Sequence, residues 1–259
     1  LKPIISLSDI SKTFSNGTVA LSRMSLDVGS GEFVSLLGPS GCGKSTVLRI
    51  IAGLGQPTTG KIDWPTSRYD AYGQPDRDIG FVFQEPTLLP WATVYDNVRL
   101  PLRLRGVSRK ASDEQIRQAL DMVGLSKFTG SYPRELSGGM KMRVSIARAM
   151  VMRPKVLLMD EPFAALDEIT RNRLNDDLLR LWGEQNWTVI FVTHSVYESV
   201  YLSSRIVVMA ARPGRVVSDM AVDAPYPRDD AFRTSPDYND ACRRASVALH
   251  AAMDTADHL

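Results

Sequence analysis

The most pointed chemistry in the chain lies in nine consecutive residues, Gly38-Pro39-Ser40-Gly41-Cys42-Gly43-Lys44-Ser45-Thr46. They fit Gly-x-x-x-x-Gly-Lys-Ser/Thr, a turn that wraps backbone N–H groups around a phosphate. Gly38 and Gly43 let the backbone bend and approach an anion closely. The N–H groups of residues 41 to 46 are expected to point inward. Lys44 would reach the outer phosphates of a nucleotide, and Ser45 would hold Mg²⁺. "EFVSLLG" before the motif reads as a buried strand and "KSTVLRIIAGL" after it as a helix, the context a phosphate loop needs.

Two further stretches carry complementary chemistry. In "VLLMDEP", an apolar strand delivers Asp160 at its C-terminal end, where open α/β sheets bind ligands. Asp160 would hold Mg²⁺ through its water shell, and Glu161 would polarise an attacking water as general base. In "LSGGMKMRVSIARAM", Ser137-Gly138-Gly139 head a basic amphipathic helix, and a helix N-terminus is itself an anion site. Two anion sites in one chain make sense if they belong to different copies. The γ-phosphate held by one chain's phosphate loop would be capped by the other chain's Ser-Gly-Gly. Two chains facing head to tail would then sandwich two ATP molecules, close on ATP and open on ADP.

These residues need a framework. Strands are expected at 4–10, 19–28, 32–38, "GKIDW", "IGFVFQ", "KVLLMD" and "TVIFVTH", and "RIVVMAARPGRVV" reads as a hairpin turning near Arg212-Pro213-Gly214. Helices are expected after the phosphate loop to about Gly53, over "EITRNRLNDDLLRLW" and over 239–255. Leu174, Leu178, Leu181 and Trp182 fall on one helical face. From about Pro90 to Pro133 the chain turns helical and amphipathic, as a small insert would. Strands alternating with helices predict an α/β fold with a mainly parallel sheet.

Composition narrows the classes. A chain of 259 residues, 44% hydrophobic and 23% charged, can bury a sizeable core. A net charge of +2 leaves no electrostatic footprint for nucleic acid. Two cysteines, Cys42 and Cys242, suit a reducing compartment rather than a disulfide framework. The opening "LKPIISLSDI" is read as lacking the apolar core of a secretion signal, and no run of roughly 18 apolar residues predicts a membrane span. A membrane role is expected to come through a partner.

The order and spacing of residues 38–46, 136–140 and 156–161 resemble the phosphate loop, signature motif and acidic strand of ATP-binding cassette (ABC) ATPases. The resemblance runs from the first strands to about Val217. It implies a phosphate-loop NTPase fold over 1–259 as a single ABC ATPase domain. That fold has an N-terminal antiparallel β subdomain and a helical subdomain of about 90–150 inserted in a RecA-like core, and 218–259 would be a C-terminal extension. It implies that Gln84 senses Mg²⁺ and water, that Asp167 reaches across the dimer, that His194 contacts the γ-phosphate and that Phe14 stacks on adenine. Read locally, Phe14 could be core, Gln84 a strand terminus, Asp167 a helix cap and His194 a structural histidine. Met142 stands where the family often has Gln, and Ser195 where many members have an acid.

"LLPWATVYDNVRLPL" further resembles the importers for nitrate, alkanesulfonates and taurine. There, residues 85–100 would form a groove for a short helix of the permease, with Trp91 and Tyr95 supplying aromatic contact area; alternatively Trp91 packs inside the insert. The resemblance implies a homodimer, or a paired ATPase subunit, on the cytoplasmic face of the cell membrane. Integral membrane permease subunits would bind it peripherally, and an extracytoplasmic solute-binding protein would deliver cargo. Rival readings are an exporter ATPase, a DNA-maintenance ATPase and a nucleotide-sensing module. The short gap between Gln84 and Ser137 leaves no room for a long coiled-coil arm, and two cysteines cannot form a four-cysteine zinc site.

Overall fold

The computed structural model describes residues 2–71 and 75–257; residues 1, 72–74, 258 and 259 of the expected 1–259 span lie outside it. In chain order the strands and helices are β1 (Ile5–Thr13), β2 (Val19–Val28), β3 (Phe33–Leu37), α1 (Lys44–Ile51), β4 (Thr59–Asp63), β5 (Ile79–Val82), α2 (Val94–Leu104), α3 (Arg109–Met122), α4 (Gly138–Met150), β6 (Val156–Asp160), α5 (Glu168–Gln185), β7 (Thr188–Thr193), α6 (Val196–Leu202), β8 (Arg205–Ala210), β9 (Arg215–Ala221), α7 (Asp230–Arg233) and α8 (Pro236–Asp257). They fall into two compact units, Leu1–Asp78 with Asn186–Leu259, and Ile79–Gln185.

In the first unit β3 lies between β7 and β8, parallel to both, and β9 closes the run antiparallel to β8. A strand flanked on both sides and covered on both faces must be apolar throughout, and every residue of β3 and β7 is buried. The one hydroxyl inside β3, Ser35, is hydrogen-bonded to Ser203. Beside this run stands the antiparallel sheet β2-β1-β4. β1 is one-sided: Ile5, Leu7 and Ile10 are buried while the residues between face outward, with a register shift between Leu7 and Ile10. The mainly parallel sheet and the N-terminal antiparallel sheet of the expected fold are both present.

Residues 218–257 are stitched to this unit. The buried Arg228 donates to the carbonyls of Val200, Tyr201 and Ser203 at 2.8, 2.9 and 3.0 Å, closing the C-terminal end of α6. Helices α6 and α7 are short, and their capping residues, Ser195 and Asp229, are their clearest local signal.

In the second unit β5 runs parallel to β6, and β6 is buried along its length. Helices α2, α3 and α4 pack on one another, with α5 against α4. Each of the first three starts at a hydroxyl cap. Thr93 accepts from Asp96 N–H at 3.1 Å, Ser108 from Ala111 at 3.2 Å and Ser137 from Met140 at 3.3 Å. On α5, Leu174, Leu178 and Leu181 are buried as their spacing predicts, and Trp182 is half-buried. Several boundaries differ from expectation, among them these. β5 ends at Val82, so Gln84 stands beyond the strand; α1 stops at Ile51; α8 runs from Pro236 to Asp257.

Candidate functional site

The phosphate loop is built from backbone packed against backbone. Gly43 caps α1 at φ 95, a left-handed conformation that leaves the first turn without a side-chain cap. A Cβ on Gly43 would stand 2.7 Å from Leu21 Cδ2 and 2.9 Å from the Ala20 carbonyl oxygen. On the other flank sits Gly214, whose Cβ would stand 2.2 Å from the Cys42 carbonyl oxygen. Gly214 is tied to β2 in both directions. Its N–H donates to Ala20 at 3.0 Å and its carbonyl accepts from Ser22 N–H at 2.9 Å. Sequence reasoning placed Gly214 near a hairpin turn and missed that it walls the phosphate loop.

The helix ladder begins with Val47 N–H donating to Gly43 at 3.0 Å, so the turn from Lys44 to Thr46 lies ahead of it. Cys42 N–H donates to Pro39 at 3.3 Å, so this amide of the expected inward-pointing set closes a turn within the loop. Lys44 is 4% exposed, and its ammonium folds back onto the loop, donating to the carbonyls of Gly38 at 2.7 Å and Pro39 at 3.0 Å. A buried ammonium aimed across such a turn is a ready counter-charge for a phosphate. Burial pushes the Cys42 thiol up, so it is inert packing rather than a nucleophile.

Also in the first unit, Phe14 is 45% exposed with the Lys12 ammonium 5.6 Å from its ring centre, so it is a surface aromatic rather than core. His194 follows the last residue of β7 and is exposed. Ser195 accounts for its own departure from the family pattern. Its hydroxyl accepts from Glu198 N–H at 3.3 Å and caps α6, while its N–H donates to Thr193 Oγ1 at 2.9 Å.

In the second unit Asp160 ends β6 at 9% exposure. Glu161 follows at φ 45, left-handed for a residue with a side chain, a strained geometry of the kind found at working sites. Asp167 caps α5, accepting from Thr170 N–H at 2.9 Å, and this N–H holds its carboxyl below the usual range. The start of α4 lies against the residues before α5 and against its first turn. A Cβ on Gly139 would stand 2.7 Å from Thr170 Cγ2, and one on Gly138 3.3 Å from Leu166 Cδ2. Met142, at the family's glutamine position, is buried in this unit.

Gln84 is exposed at the head of an irregular segment that is clamped from two helices. Asn97 of α2, fully buried, donates to Leu89, Ala92 and Thr93 carbonyls at 3.2, 3.1 and 3.0 Å and accepts from Leu89 N–H at 2.8 Å. Arg148 of α4 donates to the Pro86 carbonyl at 2.7 Å and the Thr87 carbonyl at 2.9 Å. Trp91 stands out of this clamped segment at 75% exposure. Tyr95 does not join it. It is 6% exposed, donates to Asp113 at 2.8 Å and carries the Arg109 guanidinium 4.7 Å over its ring. The expected contact surface at Tyr95 is therefore corrected. The helical register turns its ring inward, and burial pushes its hydroxyl pKa up.

For a metal, Ser45 and Asp160 offer a hydroxyl and a carboxylate, hard oxygen donors. Among the described residues, no cluster of three or more His, Cys, Asp or Glu surrounds either. Each by itself is an oxygen donor of the kind Mg²⁺ takes, an ion that keeps water ligands and shares the phosphates of its substrate rather than needing a protein cage.

The model of the family described as "ABC transporter" matches residues 21–164. An ATP-binding protein of Brucella abortus biovar 1 (strain 9-941) is 47% identical over 241 residues, covering 92% of this chain and 90% of its own. The aliphatic sulfonates import ATP-binding protein SsuB of Bacillus cereus is 44% identical, covering 86% of this chain and 88% of its own. Among solved structures, a dimeric ATP-binding cassette in a post-hydrolysis state with ADP and Pi is similar at a TM-score of 0.71. It shares 33% identity and covers 85% of this chain and 100% of its own.

Proposed function

The chain belongs to the ABC transporter family and is an ATPase, and from that premise we propose that it drives uptake of a small solute of the nitrate, sulfonate or taurine kind. No helix among the described residues is long and apolar enough to cross a membrane. In this reading the ATPase works with membrane permease subunits and sits peripherally on their cytoplasmic side. The observation that carries the importer reading is Trp91. A large aromatic, 75% exposed on a segment clamped from two sides, is the anchor a permease helix would bury. The similarity to a sulfonate import protein supports the solute class.

In this reading the loop Gly38 to Thr46 cradles the phosphates and Phe14 stacks on adenine. Lys44 swings from its own loop carbonyls onto the γ-phosphate, an exchange of one set of charge-assisted bonds for a stronger one. Ser45 and Asp160 hold Mg²⁺, with Gln84 reporting on it; when bound, the ion neutralises charge on the β- and γ-oxygens. Glu161, which follows β6 at φ 45, takes a proton from the attacking water. His194 holds the γ-phosphate. Ser137, Gly138 and Gly139 of a second copy cap it with the start of α4, and Asp167 stiffens the loop beside them.

The solution mass of Glu161→Gln, with Mg-ATP and without nucleotide, tests this. Removing the base lets ATP bind without turnover, and a doubling of mass only with ATP is the expected result. Constant mass with ATP bound would overturn closure by the isolated chain. Ser137→Arg should bind ATP normally and lose turnover; full phosphate release by that variant would sink the shared site.

A further inference from the structure

Arg148 ties the far end of the helix headed by Ser137 to the segment that carries Gln84 and Trp91. Its guanidinium donates to Pro86 and Thr87 carbonyls and to Thr87 Oγ1 at 3.0 Å, so one side chain holds two successive residues. Burial pushes its pKa down, as for a charge drawn partly out of water. The segment it holds is strained. Thr87 is β-branched and sits at φ 47, a conformation such residues avoid unless their surroundings impose it. The same segment is pinned at Leu89 and Thr93 by Asn97. From Ser137 to Arg148 is about 16 Å of unbroken helix at 1.5 Å per residue.

We propose that Arg148 is a positioning residue that couples the start of α4 to the 84–93 segment. In nucleotide-bound closure the helix moves as a rod, and the bonds from Arg148 carry Gln84 and Trp91 with it. This deepens the reading that Ser137 caps a partner's nucleotide and rests on it. The residue touches no nucleotide and takes no part in the chemistry. A hydroxyl or amide at position 148 could not span the two carbonyls, and a lysine can satisfy only part of the set.

Amide hydrogen exchange tests the coupling in Arg148→Ala and Arg148→Lys. The protected amides to follow are Leu89, which donates to Asn97, and Ala92, which donates to Leu89 at 3.1 Å. In nucleotide-free protein, Arg148→Ala should speed exchange at these two amides by about tenfold or more, with Arg148→Lys between it and the parent. Exchange at Leu157 in β6 should stay constant. Unchanged exchange at Leu89 and Ala92 would overturn the tether. In the Glu161→Gln background, Mg-ATP should slow exchange at both 138–141 and 87–92. Adding Arg148→Ala should keep the first change and abolish the second. Survival of the second change, or its absence with Arg148 intact, would overturn the coupling. Failure of Glu161→Gln to dimerise with ATP would instead count against the shared site, and the nucleotide-free comparison would still decide whether Arg148 holds the segment. If the alanine variant does not fold, the lysine variant carries both arms.

Discussion

The phosphate loop of the first unit and the 84–93 segment of the second are both irregular backbone with residues at positive φ. The loop is walled by main chain meeting main chain, Gly43 against Ala20 and Gly214 against the Cys42 carbonyl, with the Lys44 ammonium bonded to its own turn. The segment is held by side chains reaching in from helices, Asn97 from α2 and Arg148 from α4. A backbone cradle needs small residues at fixed local positions. A side-chain clamp needs only that two distant residues meet, and it can be loosened one bond at a time.

That contrast can be broken at its strongest point first. Lys44→Ala removes the charged donor of the cradle and should weaken ATP binding by about 100-fold, the equivalent of a buried charge-assisted bond. Its exchange pattern over 84–93 should not change; a titration showing normal affinity would refute the cradle. Asn97→Ala strips partners from the Leu89, Ala92 and Thr93 carbonyls and should cost about 2–3 kcal/mol in denaturant unfolding. Unlike Lys44→Ala, it should leave ATP affinity within a factor of about two.

Gly214→Ala sharpens the comparison because it lies far along the chain from the loop it supports. Its methyl must displace the Cys42 carbonyl, an overpacking that should cost about 1–3 kcal/mol and weaken ATP binding as well. Loss of stability with unaltered ATP binding would show that the wall does not shape the cradle. Asp167→Ala should have the smallest effect, and it is pH-dependent. The folded carboxyl lies below its ordinary value of 3.8, so the cap's contribution is present above that value. It is lost as pH falls through the lowered folded value. The melting-temperature gap between Asp167→Ala and the parent should therefore shrink in acid.

The elements that carry the candidate site were legible because their signals are local. A phosphate loop is nine adjacent residues between a strand and a helix, and Asp160 is the first polar residue after a buried run. Caps such as Ser137 and Asp167 are read from a side chain three residues ahead of the N–H it satisfies. Tyr95 was misread because it lies on the same buried face of α2 as Val94, Val98 and Leu102, and the sequence does not say that Asp113 of α3 meets its hydroxyl there. Gln84 fell off its strand because β5 ends at Val82.

By itself the sequence determined the α/β pattern, the phosphate loop, the acidic strand and the glycine-headed helix. Each follows from spacing along a few turns of backbone. Only the tertiary structure decided that Gly214 walls the loop, that Arg148 holds the segment beside Gln84, and that Trp91 faces out while Tyr95 faces in. Those are contacts between elements far apart in the chain. They arise when packing brings a side chain within 3 Å of a carbonyl, and no local periodicity encodes that distance.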